Sequence, residues 1–198
     1  MDVQPPDCGL EPDEWRRITA SPRLYGLHAT LKPPFALAEG FTRDALVDAL
    51  AELAAGYAAF AAPPLQLVQH QGFLALTLSA ASPSLAAIAN ACVVDLDRFR
   101  RAAGEPEISR RRSTGLTPRQ DELLLRWGYP YVLDQFAVHI TLTERLTDEQ
   151  CRRVMPILAS QVIEFQTAAL SFNDLCLFEQ ADDTAPFILT ERLPLSAP

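Results

Sequence analysis

Two similar halves, each mixing strand and helix patterning, predict a two-lobed fold of mixed secondary structure. Three observations carry this expectation. The tetrapeptide His28-Ala29-Thr30-Leu31 is matched by His139-Ile140-Thr141-Leu142, and both lie in apolar runs with strand character. Each run is followed by the same order of signals: helix, strand, strand. The chain has 198 residues, 48% of them hydrophobic, which is enough to bury a sizeable core. The reading is a single domain over 1–198, with halves at 22–104 and 130–193 joined by 105–129.

The start is irregular apart from a short helix at 13–18. Residues 24–32 read as a strand stopped by Pro33-Pro34. Thr42 is an N-cap, after which Leu46, Val47, Leu50, Leu53, Ala54 and Tyr57 recur at helical spacing. Pro63-Pro64 closes that helix. Strands at 65–68 and 73–79 flank a Gln71-Gly72 turn. Ser82-Pro83 caps a helix carrying Leu85, Ile88, Cys92, Val93, Leu96 and Phe99, which stops near Gly104.

Residues 105–117 are charged, broken by Pro106 and without periodicity, so they read as a linker. A helix at 118–127 is closed by Gly128 and followed by the aromatic turn Tyr129-Pro130-Tyr131. The second histidine strand is 136–143. Thr147 and Gln150 form a capping box for a helix to about 160, with a kink expected at Pro156. Strands follow at 165–172, 175–179 and 187–193, with a turn at Asp182-Asp183.

The formal net charge is −8, which argues against a grip on long nucleic acid and favours a small ligand. No apolar run reaches membrane-spanning length. The first eight residues have neither the basic start nor the apolar centre of a signal peptide. Cys8, Cys92, Cys151 and Cys176 are scattered and read as reduced thiols of a cytoplasmic protein. Arginines concentrate between Arg98 and Arg126, including Arg110-Arg111-Arg112. A solvated linker is the favoured explanation and an anion-binding rim the sharper one. The single lysine, Lys32, lies four residues after His28.

Strand parity puts His28, Thr30 and Lys32 on one face, and His139, Thr141 and Thr143 on another. Arg145 has the right parity but lies near the strand end. His70, between Gln69 and Gln71, reads as a structural or surface histidine. Two imidazoles and two hydroxyls suit acid–base chemistry at phosphorus without a metal. One neutral ring takes a proton and the other, protonated, gives one. Each role is worth roughly 10²–10⁴ in rate. The hydroxyls stabilise charge on non-bridging oxygens. There is no H-x-H and no H-E-x-x-H, so neither a metal nor another cofactor is expected. There is also no P-loop and no G-x-G-x-x-G, which argues against an ATPase or a dinucleotide enzyme.

The paired His-x-Thr-x motifs resemble those of the two-histidine (2H) phosphoesterase superfamily, over nearly the whole chain. A narrower resemblance rests on Tyr25-Gly26-Leu27-His28-Ala29-Thr30-Leu31-Lys32-Pro33-Pro34-Phe35. Thr117-Pro118-Arg119-Gln120 and Trp127-Gly128-Tyr129-Pro130-Tyr131-Val132 add to it. These segments are similar to the branch labelled as phosphonate-metabolism proteins, found near carbon–phosphorus lyase genes.

The resemblance implies a bilobal α+β fold, with two pseudo-symmetric lobes of antiparallel sheet and flanking helices around a central cleft. In that superfamily the terminal segments can share one lobe. It implies His28 and His139 as the catalytic acid–base pair, with Thr30 and Thr141 holding phosphate. Lys32 joins them as a phosphate contact. Tyr25, Arg119, Tyr129, Tyr131 and Arg145 are further candidate substrate contacts, although strand parity turns Tyr25 away from His28.

The activity then expected is a metal-independent phosphoric diester hydrolase of the cyclic phosphodiesterase type. It would act on a small cyclic phosphodiester, in phosphonate metabolism. One alternative is an RNA-end phosphodiesterase or ligase that uses the arginine cluster with Trp127, Tyr129 and Tyr131. Another is a non-catalytic phosphate-ligand binding protein. The expected partner is a small anionic phosphoester, with neither long nucleic acid nor membrane.

Overall fold

The computed structural model describes residues 9–182 and 184–197. Cys8, the segment read above for a signal peptide and Asp183 of the expected turn lie outside them. The chain runs α1 (Pro12–Ile18), α2 (Ala20–Tyr25), α3 (Arg43–Ala55), β1 (Phe60–Ala62), β2 (Leu65–His70), β3 (Phe73–Leu78) and α4 (Pro83–Asp95). It continues with α5 (Glu105–Arg112), α6 (Pro118–Trp127), β4 (Ile140–Thr141), α7 (Asp148–Gln161), β5 (Leu170–Phe172), β6 (Asp174–Glu179) and β7 (Ile188–Pro194). Every sheet among the described residues is antiparallel, so the fold is α+β.

The helix starts follow from their caps. The side chains of Thr42 and Ser82 accept from the backbone N–H groups of Ala45 and Leu85, filling otherwise unpaired donors. Thr117 with Gln120, and Thr147 with Gln150, form complete capping boxes. Gly128 ends α6 in the left-handed region at φ 75°, where a side chain would be strained. Pro156 is accommodated inside α7, which continues to Gln161.

Three sheets form: β2-β3-β4, β1-β5 and β6-β7. The first two join strands from both sides of 105–129, pairing Ala75 with Thr141 and Phe60 with Phe172. Strand β3 lies deepest. Leu74, Ala75 and Leu76 are fully buried, Leu74 packing with Val154 and Leu158 of α7, and Leu76 with Leu65 and Val162. A larger core sets α3 and α4 against Phe99, Leu175 and Leu195.

Four segments depart from expectation. Residues 26–32 are not strand: α2 ends at Gly26 (φ 73°) and an irregular segment carries the first motif. Leu31 rests on the larger core, whereas Leu27 is exposed. The second motif is strand only at Ile140–Thr141, where β3 offers a partner. The expected linker contains α5, stabilised by Glu105 and Glu107 in its first turn and Arg110–Arg112 in its last. Strand 165–172 shrinks to β5, because 163–166 form a 3₁₀ turn.

Thr143 is buried, and its hydroxyl accepts from Leu74 N (2.9 Å) and donates to Glu144 O (2.8 Å). Thr143→Val keeps the shape but strands the Leu74 N–H. We predict a loss of about 1–3 kcal/mol in urea unfolding. An unchanged midpoint would show that Leu74 N finds another partner.

Candidate active site

Both motifs open onto one cleft of about 820 Å³, which also takes in residues of the β2–β3 hairpin and of the segment after α6. That volume lies in the usual range for small-ligand sites.

Although the first motif is not a strand, its two polar side chains still meet. Thr30 Oγ1 lies 3.2 Å from His28 Nε2. The His28 ring stacks on Phe178 at 4.6 Å. His28 Nδ1 is buried without a hydrogen-bond partner. Burial lowers the His28 pKa below its ordinary value, against a smaller opposing effect from the backbone at Tyr25 and Gly26. Burial thus favours the neutral ring, the form that can receive a proton.

His139 sits one residue before β4. Its Nδ1 donates to Ala137 O at 2.8 Å, because a carbonyl can only accept. Nδ1 thus carries a hydrogen, which leaves Nε2 for other partners. Thr141 lines the same cleft. Thr143, placed by parity on the face of His139, lines the same cleft, and its hydroxyl is bonded to Leu74 N and Glu144 O.

His70, a structural or surface histidine by sequence, is stacked on His139 with ring centroids 5.3 Å apart. The Gln71-Gly72 turn was legible and places His70 opposite Phe73 at the hairpin end. What was missing from the sequence was the arrival of β4 beside β3.

Of the other expected contacts, Tyr25, Tyr129, Tyr131 and Arg145 line the cleft. Tyr25 stacks on Phe187, and the parity argument against it lapses with the strand. Tyr129 meets Tyr131 edge-on and carries the Arg111 guanidinium at 4.7 Å over its ring. Arg111 is the one member of the arginine triplet to reach the cleft. Arg119 does not line it, being bound to Asp134 (2.6 Å) and Glu122 (3.1 Å).

Lys32 also departs from expectation. Its ammonium donates to Val93 O at 3.0 Å, near the C-terminus of α4, and lies 4.0 Å from Asp97. The carbonyls there lack helical partners and attract a cation. Lys32 therefore ties the segment after the first motif to α4 rather than reaching phosphate.

Burial depresses the Lys32 pKa to about 8, against the opposing pull of Asp97. Between that value and the ordinary lysine range the unfolded chain binds more protons than the folded one. The lysine's contribution to stability therefore rises with pH across this window. In paired denaturation series, the parent should gain on Lys32→Met from pH 8 to 10. A gap that stays constant would contradict this.

Residues 30–188 match the family described as "Protein of unknown function (DUF1045)". The chain is 33% identical over 183 residues, 90% of its length, to a ribose 1,5-bisphosphate phosphokinase PhnN of Janthinobacterium sp. (strain Marseille). It is 40% identical over 132 residues, 67% of its length, to a protein of the same name from Laribacter hongkongensis (strain HLHK9). It spans 40% and 30% of those two proteins. Their name corrects the expected phosphoric diester hydrolase, because a phosphokinase is a transferase. That name gives no support to the hydrolase class.

Proposed function

We propose, for a chain that belongs to the DUF1045 family, that the cleft transfers a phosphoryl group on a small ribose phosphate by two-histidine acid–base chemistry. The observation that supports this most is that His28, Thr30, His139 and Thr141 all line one small-ligand cleft. The ribose phosphate is suggested by the name of the two relatives. The motif resemblance suggests a setting in phosphonate breakdown.

His28, whose neutral form burial favours, takes the proton of the attacking hydroxyl. Its oxygen forms the new bond to phosphorus while the old P–O bond breaks. His139, protonated, gives a proton to the departing oxygen. The Thr30 and Thr141 hydroxyls donate to the non-bridging oxygens, where charge builds. Among the described residues no three His, Cys, Asp or Glu side chains gather as a ligand set for a metal. The proposed step moves protons through the imidazoles alone.

Phosphorus NMR with chelator present tests this on ribose mono- and bisphosphates, each alone and with a nucleoside triphosphate. Turnover should persist in chelator and fall by about 10²–10⁴ in His28→Asn and in His139→Asn. The pH–rate profile should be bell-shaped, with its acid limb below the ordinary imidazole pKa, because His28 is the base and its pKa is lowered. Ligand binding with no turnover in the parent would make the cleft a phosphate-binding site instead.

A further inference from the structure

His70 and Arg145 remain outside the chemistry proposed above, although both line the cleft. Ring hydrogen bonds belong to His28 and His139, and His70 makes none among the described residues. Its nitrogens are available to a ligand. Arg145 forms no ion pair among the described residues, whereas Arg43, Arg119 and Arg153 are each held by carboxylates. It thus brings to the cleft a guanidinium without an ion-pair partner among the described residues. The Glu144 carboxylate, which also lines the cleft, accepts from Ser21 N at 3.0 Å.

These groups stand on or beside the β2–β3 hairpin. The two-residue turn between β2 and β3 has Gln71 at φ 48° and Gly72 at φ 88°, the backbone of a tight hairpin. Gly72 O accepts from Leu146 N at 2.7 Å. The Arg145 stem lies over Gly72, 4.0 Å from where a β-carbon would stand. His70, two residues before Gly72, lies against His139.

Two stacked imidazoles oppose each other's protonation, and the His70 pKa is lowered first by burial and then by His139. A doubly charged anion reverses that opposition, and a guanidinium adds bidentate donors for phosphate oxygens. We propose that His70 and Arg145 form a second phosphate subsite beside His139, so that the substrate is a small sugar carrying two phosphate groups. The inference rests on the phosphoryl reading above and narrows its substrate class. One phosphate lies between the motif histidines and threonines. The other is a dianionic monoester held at the hairpin end, and it anchors the sugar without reacting.

Calorimetry in chelator, with ribose 5-phosphate and ribose 1,5-bisphosphate as probes, tests the subsite. The parent should bind the bisphosphate at least tenfold more tightly. Arg145→Gln and His70→Phe, which retains an aromatic ring against His139, should each reduce that ratio below threefold. Urea midpoints confirm that both variants are folded. No preference in the parent, or a preference that survives in both folded variants, overturns the proposal. If the preference survives while turnover still depends on His28 and His139, the subsite alone falls. If the preference collapses as expected but no turnover exists, the subsite stands and the transfer reading falls.

Discussion

The cleft depends on the backbone of Leu74. Its carbonyl accepts from Leu142 N and Thr143 N, and its N–H donates to the Thr143 hydroxyl. These bonds fasten the second motif to β3, the most deeply buried strand. A buried peptide group must be paired, and here the partners come from a segment about seventy residues away. Through this junction a hairpin from one part of the chain and a histidine from another share a wall. The His70–His139 stack is its direct consequence.

The first motif is held differently. No strand partner fixes it. Leu31 packs on the larger core, and Lys32 is tied to the end of α4. The ring of His28 rests on Phe178 of β6. The two histidines thus differ in environment despite their identical spelling. His28 is stacked and partly desolvated, whereas His139 is oriented by a carbonyl. Unequal surroundings are what an acid–base pair needs, because the two rings must differ in protonation state.

The parts legible in the sequence were those set by local chemistry. Thr42, Ser82, Thr117 and Thr147 marked helix starts, because their side chains satisfy nearby N–H groups. Gln71-Gly72 marked the hairpin. The pairing of motif residues also survived, with Thr30 beside His28, although the strand that suggested it is absent. Long-range choices were not legible. The apolar run 24–32 forms no strand, and of its large side chains Tyr25 and Leu27 stay exposed while Leu31 packs on the core. Lys32 looked like a phosphate ligand because its destination, the end of α4, is sixty-one residues away. His70 looked structural because its significance lies in which strand arrives beside it.

The central claim is that one small phosphorylated ligand engages both motif histidines at once. Proton NMR of the imidazole C–H signals tests it directly, since the chain has three histidines and single substitutions assign each signal. On titration with ribose 1,5-bisphosphate in chelator, the His28 and His139 signals should move together with one midpoint. Movement of one signal alone, or two separate midpoints, would contradict a shared site.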